Sequence, residues 1–189
     1  KASGPVVLGS DHGGFALKEA IKRHLQGKSI QVIDVGTHSK DAVDYPVFAK
    51  AAAEAVARGD AWRGVIVDGA GIGSGMVANK IPGVRSAMAF DVATANNARE
   101  HNDANVMTLG AGYLSEEAAL KIVDVFLSTE CTADRHKRRV AMIDALERYF
   151  PRQATWSEPE GGLFLWATMP DYIDTTDLLA KALRENVAF

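Results

Sequence analysis

Short runs of valine and isoleucine alternate along the chain with longer segments whose apolar residues recur every three or four positions. The short runs predict β-strands, because buried parallel strands are almost continuously apolar. There are five of them: Val6–Leu8, Ile30–Val35, Val65–Val67, Val84–Phe90 and Val106–Leu109. The longer segments predict helices with one apolar face, at 15–25, 47–58, 76–80, 92–100, 115–127 and 133–149.

This alternation of strand and helix, with short glycine-rich connections, is typical of a parallel sheet covered by helices on both faces. We therefore predict an α/β fold, a three-layer αβα sandwich around a doubly wound, Rossmann-like sheet of five parallel strands. Ligands bind such sheets beyond the carboxyl ends of the strands. Four polar segments follow predicted strands and favour a site there over plain solvated loops: 10–14 (SDHGG), 36–39 (GTHS), 68–74 (DGAGIGS) and 91–97 (DVATANN).

The C-terminal part of the chain differs from the rest in amino-acid composition. Residues 151–189 hold two of the three tryptophans and half of the six prolines. Such a shift in composition is typical of a boundary between structural units. We predict one domain over residues 1–150 and a C-terminal extension over residues 151–189.

Composition limits the possible partners and the compartment. The 189 residues are 47% apolar and 24% charged, as in ordinary globular proteins, and the net charge of −3 gives no general attraction to nucleic acid or anionic membranes. The single cysteine, Cys131, excludes an intrachain disulfide and fits a reducing cytoplasm. No apolar run is long enough to span a bilayer. We therefore expect a cytoplasmic protein with neither a membrane nor a nucleic-acid partner.

The segment 69–75, GAGIGSG, places four glycines directly after a buried strand. Backbone N–H groups in such a loop can converge on an anion. The spacing matches neither a Walker loop nor GxGxxG, so a nucleotide site is not favoured. Asp68 leads into the loop. A carboxylate there suits a general base for a carbon acid, with loop N–H groups holding the enediolate oxygen. A carboxylate that merely caps the loop N–H groups is an equal alternative.

Histidines and a pair of arginines add further candidate chemistry. His12 follows the first strand and His101 precedes the fifth, and imidazoles exchange protons near neutral pH. Arg135 and Arg139 are four residues apart, so one helix face presents both, and paired guanidinium groups suit phosphate. Taken singly, each feature also fits a structural histidine or a basic, solvated helix end.

Six segments of the chain, taken together and in order, carry a family resemblance. They are GSDHGGFALK at 9–18, VIDVGTHS at 32–39, DYP at 44–46, GxGIGxxxxANKxPGxR within 69–85, REHNDANV at 99–106 and DRHKRRV at 134–140. Over about residues 5–148 the chain resembles the type B ribose-5-phosphate isomerases, a family that includes galactose-6-phosphate isomerase subunits.

The resemblance implies an aldose–ketose isomerase acting on a phosphorylated sugar, such as the ribose 5-phosphate and ribulose 5-phosphate of the pentose phosphate pathway. A proton would move between neighbouring carbons through a cis-enediolate, with no metal and no organic cofactor. The family also implies a homodimer or homotetramer whose sites are shared between chains. The helix of Arg135 and Arg139 would then serve a neighbour's pocket.

Positions that match the family motifs take their expected roles from it. The expected substrate-binding residues are Asp11, His12, Tyr45, Gly69, Gly71, Gly73, Arg135 and Arg139. Among them, Asp11 would hold sugar hydroxyls, His12 and the two arginines the phosphate, and the loop amides the enediolate. The expected catalytic residues are Asp68, His101, Asn102 and Ser74, with His101 assisting ring opening and Asn102 holding the enediolate.

Two departures from the family pattern fall in the glycine loop. Asp68 stands where many members have a cysteine base, and Ala70 stands where many have threonine. We expect Asp68 to replace the cysteine, and either Ser74 or a water to take the role of the missing hydroxyl. The alternative function is a non-catalytic sugar-phosphate-binding subunit or a partner of an active isomerase.

The extension has a resemblance of its own. Residues 159–166, PEGGLFLW, are the most distinctive part of a stretch that resembles the small domain of fold-type I, PLP-dependent aminotransferases. No segment resembles the large domain or the cofactor lysine of those enzymes. We therefore predict no transamination.

Overall fold

A computed structural model describes residues 4–149, 155–156, 167–168, 173–177 and 181. Five strands belong to one sheet: β1 (Val6–Ser10), β2 (Val32–Asp34), β3 (Arg63–Asp68), β4 (Ser86–Met88) and β5 (Val106–Gly110). Six helices accompany them: α1 (Phe15–Gly27), α2 (Tyr45–Ala57), α3 (Ile72–Ala78), α4 (Val92–Asn102), α5 (Glu116–Ser128) and α6 (Asp134–Tyr149).

The sheet is parallel throughout, in the order β2-β1-β3-β5-β4. One apolar core lies between the sheet and helices α1, α4 and α5, and a second lies between the sheet and helices α2 and α3. The three central strands β1, β3 and β5 are buried along their whole length. The predicted αβα sandwich with its five-stranded parallel sheet is therefore confirmed.

Helix α3 begins at residue 72, four residues before its predicted start. The apolar pattern pointed to Met76 because glycines occupy the first turn. The structure starts the helix directly after Gly71, whose φ of 80° lies in the left-handed region. Hydrogen bonds from this first turn to Asp68, described below, hold the early start. The glycine loop is thus shorter, and tied more closely to the helix, than the sequence indicated.

The chain separates into two compact units, residues 1–142 and 143–189, and the division falls inside α6. In the second unit, β6 (Thr155–Trp156) pairs antiparallel with β7 (Ala167–Thr168). Most of the predicted extension lies outside the described residues, and the proposed boundary at residue 150 stays a prediction. Among the described residues, no helix is both long and apolar enough to cross a membrane.

Candidate active site

Asp68 ends the buried strand β3 at the carboxyl edge of the sheet and is only 5% exposed. Its Oδ1 accepts hydrogen bonds from the amides of Ala70 (2.8 Å) and Gly71. Its Oδ2 accepts from the Ser74 amide (3.1 Å) and from the Ser74 hydroxyl, Oγ. Both carboxylate oxygens are therefore occupied by donors from the glycine loop itself.

These contacts are the ones expected of a loop-capping carboxylate, the alternative that the sequence left open for Asp68. Because both oxygens already accept hydrogen bonds, a proton placed on either oxygen would displace a loop donor. The Ser74 hydroxyl, expected to act on substrate, is fully buried and donates to Asp68. The geometry therefore disfavours Asp68 as a free base and gives both residues a role in holding the loop.

The loop keeps a second set of amides that Asp68 does not use. Within the described part of the chain, no acceptor pairs with the N–H groups of Gly69, Ile72 or Gly73. They lie at the start of helix α3, where the helix dipole favours negative charge. The loop can thus offer N–H donors to an oxyanion.

Tyr45, the first residue of α2, packs directly on this loop. A Cβ added at Gly73 would lie 2.7 Å from the Tyr45 Oη and 2.7 Å from its Cζ, closer than real Cβ atoms approach other atoms. Only glycine fits at position 73 while Tyr45 keeps this position. The Tyr45 side chain is 39% exposed, so it contributes both to the loop wall and to the open surface.

Asp11 and His12 follow β1 at the same edge of the sheet. Asp11 Oδ1 accepts from the Gly14 amide (2.8 Å), while Oδ2 has no donor among the described residues. Gly13 lies between the Asp11 carboxylate and the glycine loop. A Cβ placed on it would lie 3.4 Å from Asp11 Oδ1 and 3.7 Å from the Gly69 nitrogen. The half-buried Asp11 therefore offers a carboxylate oxygen beside the glycine loop. His12 is exposed, and its Nδ1 lies 3.2 Å from the Val43 amide nitrogen.

His101 and Asn102 end helix α4 at the opposite, amino edge of the sheet. Helix α4 runs back along the sheet, and three residues later the Asn105 carbonyl accepts from Gly64, near the start of β3. Asp68 lies at the far end of this six-residue strand. At about 3.3 Å per residue the strand spans roughly 16 Å between its end residues. A single chain therefore does not bring His101 and Asn102 together with Asp68.

His136 of α6 joins His101 at the amino edge, a neighbour that the sequence reasoning did not single out. Their rings stack at 4.1 Å between centroids with an angle of 12°. His136 is 3% exposed, and neither ring nitrogen has a hydrogen-bond partner among the described residues. Burial, assisted by the electrostatic effect of the neighbouring His101, Arg135 and Arg139, lowers the pKa of His136. Arg135 and Arg139 are exposed on the same helix, so the expected phosphate ligands also lie with His101.

Asp103 fixes the end of α4, directly after the two candidate residues. It adopts a left-handed conformation with φ of 46°. Its Oδ1 accepts from Arg99 Nη1 (2.7 Å) and its Oδ2 from Arg85 Nη2 (3.0 Å). Two arginines from different elements thus hold the turn that follows His101 and Asn102. The sequence signal was the REHND segment itself, in which Arg99 and Asp103 are four residues apart.

No group of three or more histidine, cysteine, aspartate or glutamate side chains in the described part of the chain is arranged to hold a metal ion. The expectation that the reaction needs neither metal nor cofactor stays a prediction.

Comparison with known proteins decides the family. The ribose/galactose isomerase family model matches residues 6–143. The chain belongs to the ribose/galactose isomerase family. Ribose-5-phosphate isomerase B of Escherichia coli is 38% identical over 143 residues, which are 76% of this chain and 96% of that protein. Ribose-5-phosphate isomerase B of Mycolicibacterium paratuberculosis is 43% identical over 145 residues, 76% of this chain and 91% of that protein.

Solved structures of the family agree. Ribose-5-phosphate isomerase B of Clostridium thermocellum has a TM-score of 0.75 at 42% identity and covers 76% of this chain and 97% of its own. The Mycoplasma genitalium enzyme with bound ribulose-5-phosphate has a TM-score of 0.75 at 37% identity, with 79% and 99% covered. The protein is thus a sugar-phosphate isomerase by family. The family match ends at residue 143, so the aminotransferase resemblance of the extension stays a prediction.

Proposed function

We propose that this family member interconverts aldose and ketose phosphates, either ribose 5-phosphate and ribulose 5-phosphate or a related pair, through a cis-enediolate. The supporting observation is that Asp68 uses only some of the N–H groups of the glycine loop. Asp68 binds one set of its amides, and the N–H groups of Gly69, Ile72 and Gly73 remain for a ligand oxygen. Preorganised donors of this kind stabilise an oxyanion as it forms.

We infer that Asp11, rather than Asp68, is the better placed carboxylate to move the proton. Asp11 Oδ2 has no donor among the described residues, whereas both oxygens of Asp68 are saturated by the loop. A general base needs an unshared oxygen within reach of the substrate proton. In this assignment Asp68 and Ser74 hold the loop amides in position, and Asp11 accepts and returns the proton.

We also propose that each complete site combines two chains of a homodimer. Asp11, His12, Tyr45 and the glycine loop lie at one edge of the sheet, and His101, Asn102, Arg135 and Arg139 lie at the other. A second copy can bring its amino edge to the carboxyl edge of the first. Exposed apolar side chains on and around α3 and β4 favour such burial: Ile72, Met76, Met88, Phe90 and Val92.

An isomerase assay in D2O across four- to six-carbon aldose and ketose phosphates tests the proposal. Turnover with deuterium incorporated at the carbon next to the carbonyl is expected, because an enediolate exchanges its proton with solvent through the base. Asp11→Asn should abolish both turnover and exchange while leaving the fold intact. Asp60→Asn, an exposed carboxylate paired with Arg58, serves as the matched control.

The alternative, a sugar-phosphate-binding subunit without activity, is favoured by the saturation of Asp68. Calorimetry that shows binding of a sugar phosphate, together with no turnover and no deuterium exchange, would establish it and refute the isomerase. Retention of full turnover by Asp11→Asn would refute Asp11 as the base.

A further inference from the structure

Arg63, the first residue of β3, is a buried guanidinium without an acceptor. Arg63 is 6% exposed, and no acceptor among the described residues forms a hydrogen bond or ion pair with its side chain. Buried charges are normally paired, because an uncompensated one is costly. The proposed isomerase chemistry does not use this residue.

Two aromatic rings lie close to the Arg63 guanidinium group. Its Cζ lies 4.5 Å from the centre of the Trp62 ring and 5.8 Å from that of Phe126. These contacts stabilise the cation, but they do not give its N–H groups a hydrogen-bond acceptor. Nε is fully shielded from solvent, so the edge that carries the two Nη atoms is the one left open. This edge is the one that binds carboxylate or phosphate with two parallel hydrogen bonds.

The neighbouring carboxylates do not supply the missing acceptor. Arg99 lies over the same Phe126 ring at 5.8 Å, is fully buried and has an Nη2 atom without an acceptor in the described part of the chain. The nearby Asp103 already has each oxygen in an ion pair, one with Arg99 and one with Arg85. Glu130 is the other carboxylate that acts on Arg63. Within the described residues neither carboxylate forms an ion pair with Arg63, so its guanidinium group has no close acceptor.

Arg63 and Arg99 are buried, whereas Arg135 and Arg139, the arginines expected to bind the substrate phosphate, are exposed. The charges that act on Arg63 belong to Arg99, Asp103, Glu130 and Arg85. Arg135 and Arg139 instead act on His136, with which they share helix α6. We propose that Arg63, with Arg99 behind it, forms a second binding site for a small phosphate-type oxyanion at the amino edge of the sheet.

A phosphate titration in a chain that lacks the two exposed arginines expected to bind the substrate phosphate tests the site. In the double variant Arg135→Gln, Arg139→Gln, both positions are exposed, so the fold should be retained. The 15N resonance of Arg63 Nε should shift on addition of inorganic phosphate, and calorimetry should give one phosphate per chain. An Nε resonance that does not move would overturn the proposal, and this result needs no substitution at Arg63.

Substitutions at the site sharpen the test. Added to the same double variant, Arg63→Gln should weaken phosphate binding at least about tenfold, and Arg63→Lys should weaken it less, because lysine keeps the charge but loses the planar fork. Glu130→Gln should strengthen binding, because it removes a competing carboxylate. Arg58→Gln, an exposed arginine paired with Asp60, is the control and should change nothing. Equal affinity in Arg63→Gln would refute the site whether or not the protein proves to be an isomerase.

Discussion

Replacing Asp68 by asparagine should weaken the hydrogen bonds that hold the glycine loop, without changing the shape of the side chain. The amide can keep its oxygen towards the N–H groups of Ala70 and Gly71, which then places its NH2 group against the Ser74 amide and hydroxyl. Two hydrogen bonds to a buried carboxylate oxygen are lost. The Ser74 hydroxyl can rotate and accept from the new NH2, but the backbone amide cannot.

The expected loss is about 3 kcal/mol, since a hydrogen bond to a charged group contributes about 1.5–3 kcal/mol and one of the two is partly recovered. For a chain of this size, that corresponds to a fall in Tm of roughly 6–12 °C. Urea unfolding followed by circular dichroism measures the loss directly as a lower midpoint at constant slope. Asp60→Asn, on the exposed surface, should change the free energy of unfolding by less than about 0.5 kcal/mol.

Ser74→Ala provides the second half of the test. It removes one donor to Asp68 and should cost about 1–2 kcal/mol. The double variant should lose less free energy of unfolding than the sum of the losses of Asp68→Asn and Ser74→Ala, because both single changes break the same contact. If Asp68→Asn instead keeps native stability and loses only turnover, the loop-holding role is refuted and Asp68 returns as the base.

Three further outcomes follow from contacts elsewhere in the site and the core. Gly73→Ala should displace Tyr45, raise KM for the sugar phosphate severalfold and lower the free energy of unfolding measured in urea. Adding Tyr45→Ala should relieve the clash and recover the stability that Gly73→Ala loses. Because the pKa of His136 is lowered in the folded state, the unfolded chain binds more protons, so stability should fall as pH drops from about 6.5, and His136→Asn should flatten this slope. Asp34→Asn should destabilise the fold by about 2–4 kcal/mol in the same assay, because it removes one of the two carboxylates paired with the fully buried Lys18, the other being that of Glu19.

The sequence predicted the sheet and its helices well because their signals are local. Val65–Val67 is apolar throughout and Val106–Leu109 is apolar except for Thr108, and the structure buries both in central strands. The start of α3 was missed because glycine has a low helix propensity, and the stabilising partner, Asp68, lies outside the helix. Its carboxylate replaces the contribution that side chains within the first turn would normally make.

The candidate residues were found by their motifs, but their positions in space were not. His101 precedes a strand and His12 follows one, and in parallel strands those two positions lie at opposite edges of the sheet. The order of the motifs along the sequence does not reveal this separation, because residues from both edges of the sheet follow one another along the chain. The stack of His136 on His101 joins residues 35 positions apart and leaves no local pattern. The same holds for Arg63, which has no acceptor in the described part of the chain because Asp103 is paired with other arginines.

The separation of the two edges leads to a complementation experiment. If each site takes Asp11 from one chain and Arg139 from the other, Asp11→Asn and Arg139→Gln should each be inactive alone. In a dimer of one chain of each kind, one site receives both substitutions and the other receives neither. Random re-association of equal amounts makes half of the dimers mixed, so about one quarter of native turnover should return. A mixture that remains inactive, although mass spectrometry shows mixed dimers, would refute the shared site and require both edges to act within one chain.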